Sequence, residues 1–276
     1  MKMKIRSILA LVAAIAAIES CHAAEQSIVL ASTTSVEASG LLANILPRFT
    51  AKTGITVNVV AQGTGKALDT ARRDDADLLL VHDPEAEQQF MDEGRGSARR
   101  QIAWNDFIIV GPSADPAHVS GGRDSVAALK AIASTQAPFV SRGDRSGTNA
   151  AELRLWKIAG QTPDVLSKEK WYRDIGGGMG QALNAASAMD AYTLSDRGTW
   201  LSFNNKGSLV IAIEGDPRLI NRYDVIELNP QKHASAKLAA AKVFADWLVS
   251  TEGQQAIGAY QVNGQKLFYP SASSPK

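Results

Sequence analysis

The chain has 276 residues, 45% of them hydrophobic, and 29 basic against 28 acidic side chains give a formal charge of +1. That length suits one large or two medium α/β lobes with an ordinary core, and the charge balance leaves no electrostatic case for a nucleic-acid or membrane-surface partner. A single cysteine excludes a disulfide scaffold and Cys-type zinc sites.

The first segment reads as an export signal at residues 1–23. Lys2, Lys4 and Arg6 precede an uncharged apolar run from Ile8 to Ile18, and small residues follow at Ala23 and Ala24. The run is shorter than the roughly 20 residues that span a bilayer. Cleavage after Ala23 puts Cys21 at position −3, to be lost on processing. Ile18-Glu19-Ser20-Cys21 also resembles a lipobox, with Glu19 fitting it poorly, so a lipid anchor at Cys21 is the lesser alternative. Export takes the protein to the periplasm and brings its formal charge to about −1.

Beyond the signal, short apolar runs alternate with amphipathic stretches. Ile28–Ser32, Val57–Gln62, Asp77–His82 and Phe107–Gly111 read as strands, with helices at Ser39–Gly54 and from Lys66. Pro112–Gly122 has no apolar run and reads as a crossover. A second set then begins: helix Ser125–Ser134, strand Pro138–Gly143, helix Thr148–Gly160, strand Lys170–Gly176, helix Met179–Asp190 and strand Ala191–Asp196. Apolar stretches at Leu209–Pro217 and Asp224–Pro230 come before a helix from Lys237 to Ser250, whose apolar positions include Leu238, Val243, Trp247 and Leu248. This alternation predicts α/β lobes with mostly parallel sheets. Lobe 1 is expected at 24–112 plus 224–276 and lobe 2 at 113–223, with a ligand in the cleft beyond the carboxyl ends of the strands.

The loops at those ends are rich in hydrogen-bond donors. Ser32-Thr33-Thr34-Ser35 opens a helix, and one cap needs only one hydroxyl. Gly63-Thr64-Gly65-Lys66 lacks the spacing of a nucleotide phosphate loop, but glycines let backbone approach an anion. Ser141-Arg142-Gly143-Asp144-Arg145-Ser146-Gly147-Thr148 joins a strand to a helix. In it Arg142 offers a planar fork for an oxyanion, Asp144 is placed to orient that fork, and Arg145 is expected in solvent. Gly176-Gly177-Gly178-Met179-Gly180 is a further flexible loop before a helix. Asp196 and Arg197 read as structural.

Catalysis finds little support. The histidines, His22, His82, His118 and His233, lie apart in sequence from the hydroxyl motifs, and there is neither a G-x-S-x-G elbow nor an H-E-x-x-H pair. The ligand-sensing domain of a transcription regulator shares the clamp architecture, but a signal peptide and the lack of a DNA-binding helix pair argue against it.

LASTTS, GTGKAL, SRGDRSGT, GGGMGQAL and AYTLSDRGTW, in this order and spacing, resemble the tungstate-binding proteins of ABC importers, the TupA family. The tail FADWLVSTEGQQAIGAYQVNGQKLFYP fits as well, so the resemblance covers nearly all of the mature chain. It implies a two-lobed α/β type II periplasmic-binding-protein fold and a monomer that delivers its ligand to the permease and ATPase subunits of an importer. It places the oxyanion contacts at Thr33, Thr34, Ser35 and Thr64 in one lobe, and at Ser141, Arg142, Ser146, Gly147 and Thr148 in the other. Asn149 departs from the histidine expected after SGT. The implied ligand is tungstate, with molybdate or phosphate as alternatives, and no cofactor or metal site is implied. A pocket made only of donors suits a fully deprotonated oxyanion and predicts an affinity nearly independent of pH near neutrality. Hydrogen phosphate wants an acceptor for its proton, a role open to Asp144, which keeps phosphate as the runner-up.

Overall fold

The computed structural model describes residues 26–234 and 237–272. The expected signal peptide, Cys21 and the last four residues lie outside them. The chain runs β1 (Ser27–Thr33), α1 (Thr34–Ala38), α2 (Leu41–Thr53), β2 (Thr56–Gln62), α3 (Thr64–Arg72), β3 (Leu78–Val81), α4 (Pro84–Asp92) and the long β4 (Gly96–Pro112). Next come α5 (Ser125–Thr135), β5 (Phe139–Ser141), α6 (Gly147–Ile158), α7 (Pro163–Leu166), β6 (Tyr172–Asp174), α8 (Met179–Met189), β7 (Tyr192–Asp196) and α9 (Arg197–Ser202). Strands β8 (Leu209–Ile213) and β9 (Ile220–Leu228), helices α10 (Leu238–Val249) and α11 (Thr251–Ala259), and the two-residue strands β10 (Gln261–Val262), β11 (Gln265–Lys266) and β12 (Tyr269–Pro270) complete the order.

Two triplets of parallel strands form the frame. In the first, β1 lies between β2 and β3; in the second, β5 lies between β6 and β7. Helices cover both faces of each, so β1, β3, β5 and β7 are buried on both sides and their residues alternate between two cores, while the outer strands β2 and β6 stay partly exposed. Leu78 and Leu80 pack with Ile28, Leu30 and Phe49, whereas Leu79 and Val81 pack with Leu68 and Phe90. Likewise Phe107, Ile109 and Phe139 share a core with Trp156, while Ile108, Val110 and Val140 share one with Leu183 and Trp200.

The antiparallel strands carry the chain between the triplets. Residues Gly96 to Asp106 of β4 pair with β9, and Phe107 to Pro112 pair with β7 and β8. The change of sheet therefore falls at Asp106/Phe107. The Pro112–Gly122 segment, expected from its composition as the crossover, follows that change and folds back on the second sheet, where Gly121 N–H donates to Ala212 O. The return passage lies between β8 and β9. Arg197 braces both passages, donating from Nε to Asp106 Oδ1 and from Nη2 to Glu214 Oε2, each at 2.7 Å.

Of the apolar positions expected in helix α10, Trp247 and Leu248 are buried and Leu238 is partly so. The helix also buries Ala241, Phe244 and Ala245, and Phe244 and Trp247 pack on Phe49 with ring centroids 4.7 and 5.5 Å away. Val243 is exposed. In an Ala-rich helix, small residues complete the buried stripe and a lone Val on the other side is tolerated.

Candidate oxyanion site

Both triplets point their carboxyl ends at one cleft. Thr33 ends β1, Gly63 and Thr64 follow β2, and His82 follows β3; facing them, Ser141 ends β5, Arg142 follows it, and Asp196 ends β7. The two sides are in contact. A Cβ added to Gly147 would lie 2.8 Å from His82 Cε1 and 3.3 Å from Thr64 Oγ1, and one on Gly63 would lie 3.7 Å from Arg145 O. Arg154 Nη1 donates to Asp83 Oδ1 across the cleft at 2.9 Å. This is a closed arrangement.

On the first side the hydroxyls divide by role. Ser32 Oγ donates to Leu80 O at 2.8 Å. Thr33 Oγ1 caps α1 by accepting from Val36 N and also meets His82 Nε2 at 3.0 Å. His82 Nδ1 faces Asn221 Oδ1 at 3.1 Å, while Asn221 Nδ2 donates to Asn105 Oδ1 and Tyr223 OH. A carbonyl oxygen only accepts, so Nδ1 carries the proton and Nε2 accepts from Thr33. Burial holds the imidazole down at about 4, against the raising influence of Asn221, Asp196 and Asp83, and the Arg142 cation lowers it further. His82 is thus neutral at pH 7, and both hydrogen-bonding functions of the Thr33 hydroxyl are committed. Thr34 is exposed and Ser35 half-buried. Thr64 is 2% exposed, and its Oγ1 has no partner.

On the second side the loop is locked by its own polar groups. Gly143 sits at φ +59°, and a Cβ there would overlap the Asp174 carboxylate, so only glycine fits. Gly177 N–H donates to Arg142 O at 2.9 Å, which ties the glycine loop to the arginine. Arg142 is 4% exposed; its Nη2 donates to Asp144 Oδ2, and Asp144 Oδ1 accepts from Ser146 N at 3.1 Å. Asp144 does orient the fork, as its position in the sequence suggests, and Arg142 Nε is left without a partner. Arg145 is exposed. Ser146 caps α6 by accepting from Asn149 N, and Gly147 and Thr148, as first-turn residues, have N–H groups with no intrahelical acceptor. Thr148 Oγ1 is buried and unpartnered. Ser141 Oγ donates to Glu152 Oε2 at 2.8 Å and accepts from Asn149 Nδ2 at 3.2 Å.

The residues named from sequence therefore separate. Thr64, Arg142 and Thr148 each bring a buried polar atom with no protein partner, a costly condition in a closed interior. Gly147 and Ser146 shape the helix end beside them. Thr33 and Ser141 spend their hydroxyl hydrogens on His82 and Glu152, and Thr34 stays in solvent. His82 corrects the expectation that the histidines lie apart from the hydroxyl motifs. Register brings β3 beside β1, and with it His82 beside Thr33. Glu152, Asn221 and Asn105 are likewise unmarked in sequence. Glu152 falls on the same face as Thr148, four residues on, which is its only trace. Asn149, where a histidine was expected, braces Ser141 and accepts from Arg145 N.

The chain is similar to known proteins over most of its length. A model of the PBP superfamily domain matches residues 19–252. The tungstate-binding protein TupA of Peptoclostridium acidaminophilum is 44% identical over 254 residues, 91% of this chain and 87% of that protein. A putative ABC transporter anion-binding protein of Haloferax volcanii is 43% identical over 93% of this chain and 75% of its own. The solved tungstate-binding TupA of Desulfovibrio alaskensis G20 superposes with a TM-score of 0.80 at 42% identity, over 90% of this chain and all of its own.

Proposed function

The chain belongs to the PBP superfamily and, within it, to the TupA tungstate-binding proteins, and from that membership we propose that it captures tungstate in the periplasm and hands it to the permease and ATPase of an ABC importer. The observation that carries the reading is the set of unpartnered donors, Thr64 Oγ1, Arg142 Nε and Thr148 Oγ1, buried where the two sheets meet. All can donate, and so can the free N–H groups of Gly147 and Thr148. A fully deprotonated tetrahedral oxyanion accepts from every direction and matches such a set. Asp144 is the acceptor that hydrogen phosphate would need, and there the phosphate proton would compete with Arg142 and Ser146 N, which already donate to its two oxygens.

Tungstate over molybdate rests on the relatives, because the two anions share charge and shape. The clamp has two lobes whose division runs through β4 at Asp106/Phe107 and through the passage between β8 and β9. Thr33 Oγ1 lies within hydrogen-bond reach of His82 Nε2, but that hydroxyl also caps α1 and burial makes the imidazole a weak base, so no catalysis is proposed.

Melting the ligand-free protein with tungstate, molybdate, sulfate or phosphate tests the assignment. Tungstate at a thousandfold excess over Kd should stabilise the fold by ~4 kcal/mol. A larger rise with phosphate, or none with any oxyanion, would overturn it.

A further inference from the structure

Behind Ser141 lies a carboxyl group that the donor-only description leaves out. Glu152, on α6, is 3% exposed. Its Oε1 accepts from Tyr172 OH at 2.7 Å and its Oε2 accepts from Ser141 Oγ at 2.8 Å. Both donors are neutral, and neither Lys nor Arg pairs with it among the described residues. Of the charged groups near it, Asp174 on β6 is a further anion, Arg142 beyond β5 is turned to Asp144, and Asp196 lies at the end of β7. Tyr192 of β7 donates to Asp115 instead. Burial lifts the Glu152 carboxyl to about 7, against the lowering influence of its Tyr172 and Ser141 hydrogen bonds.

A dianion entering this cleft meets the buried Arg142 cation, already paired with Asp144, while Arg154 is paired with Asp83. An ionised Glu152 one hydroxyl away adds repulsion at low dielectric. On the reading that the cleft holds an oxyanion, we infer that Glu152 takes up one proton from solvent as the anion is enclosed, and that this proton turns the Ser141 hydroxyl from Glu152 towards the ligand. The geometry allows the reversal. Protonated at Oε2, Glu152 donates to Ser141 Oγ, which also accepts from Asn149 Nδ2. With both lone pairs of that oxygen filled, its own hydrogen is free to point into the cleft. One proton removes a negative charge and adds a donor.

The linkage has a definite sign. Binding that takes up a proton is insensitive to pH where Glu152 is already protonated. It weakens by up to about tenfold per pH unit above that, until the liganded protein itself titrates. Between pH 6.5 and 8.5 tungstate affinity should fall about tenfold or more. Calorimetry at pH 8 in Hepes and in Tris, whose ionisation enthalpies differ, should give an uptake approaching one proton per tungstate. Glu152→Gln, whose amide can donate permanently to Ser141 Oγ, should abolish both the slope and the uptake. Tyr172→Phe removes a donor to the ionised carboxylate and should move the onset of weakening to higher pH. Tungstate bound with no proton uptake and a flat pH profile would overturn the inference while leaving the function intact, as would a slope that survives Glu152→Gln or an onset unmoved by Tyr172→Phe. Failure to bind tungstate at any pH would overturn the function itself.

Discussion

The two sides of the cleft solve one problem with different chemistry. The side built on β5–β7 carries charge: a buried arginine held by Asp144, a glycine corner closed against Asp174, and a helix N-terminus behind it. The side built on β1–β3 offers hydroxyls and a histidine kept neutral by burial, and its charged group at the contact, Asp83, is taken up by Arg154 from the other side. A cation buried without a partner is far more costly than a buried hydroxyl, so the charged side needs internal bracing and the neutral side does not.

Removing the charge should produce the largest loss. Arg142→Ala should weaken tungstate binding by at least ~tenfold to a hundredfold, since hydrogen bonds to charged groups contribute ~1.5–3 kcal/mol each. Arg142→Lys should recover part of this, because an ammonium lacks the planar fork. A silent Arg142→Ala in titration would put the charge compensation elsewhere.

Blocking the meeting of the sides comes next. Gly147→Ala places a methyl 2.8 Å from His82, and overpacking of this kind costs ~1–3 kcal/mol. It should fall on closure alone: affinity drops about tenfold, and X-ray scattering shows less compaction with tungstate than in the parent. Full compaction in that variant would mean the sides do not meet at Gly147.

Thr64→Val and Thr148→Val probe one hydroxyl on each side. Each should cost roughly two- to tenfold in affinity, in line with ~0.5–1.5 kcal/mol per neutral hydrogen bond. Their unliganded melting temperatures should hold or rise, because each loses a buried hydroxyl that has no protein partner. A clear drop in unliganded stability would show that these hydroxyls serve the fold. The smallest effect belongs to Arg145→Ala, three residues from Arg142 yet exposed, which should bind as the parent does.

The same contrast governs what the sequence disclosed. The charged side is a continuous segment, Ser141 to Thr148, so its arginine, orienting aspartate and helix start stand together in the chain. The neutral side is assembled by register from three strand ends, and His82 and Asn221 meet 139 residues apart. No local pattern marks them. Strand β4 was legible only as Phe107–Gly111, where it is buried on both faces. Its first half alternates half-exposed polar residues, with Arg100 paired to Glu227 and Asp246, and charge of that kind hides a strand from a search for apolar runs. Burial itself, which makes Glu152 a proton acceptor at neutral pH, is a property of the fold that composition does not carry.

The account stands or falls on whether this cleft prefers a fully deprotonated tetrahedral oxyanion to one that keeps a proton. Calorimetric titration of the ligand-stripped protein with tungstate, and then with phosphate at the same pH, measures that preference directly. Tungstate should bind with one site per chain and orders of magnitude more tightly than phosphate; phosphate binding as tightly as tungstate, or tighter, would contradict it.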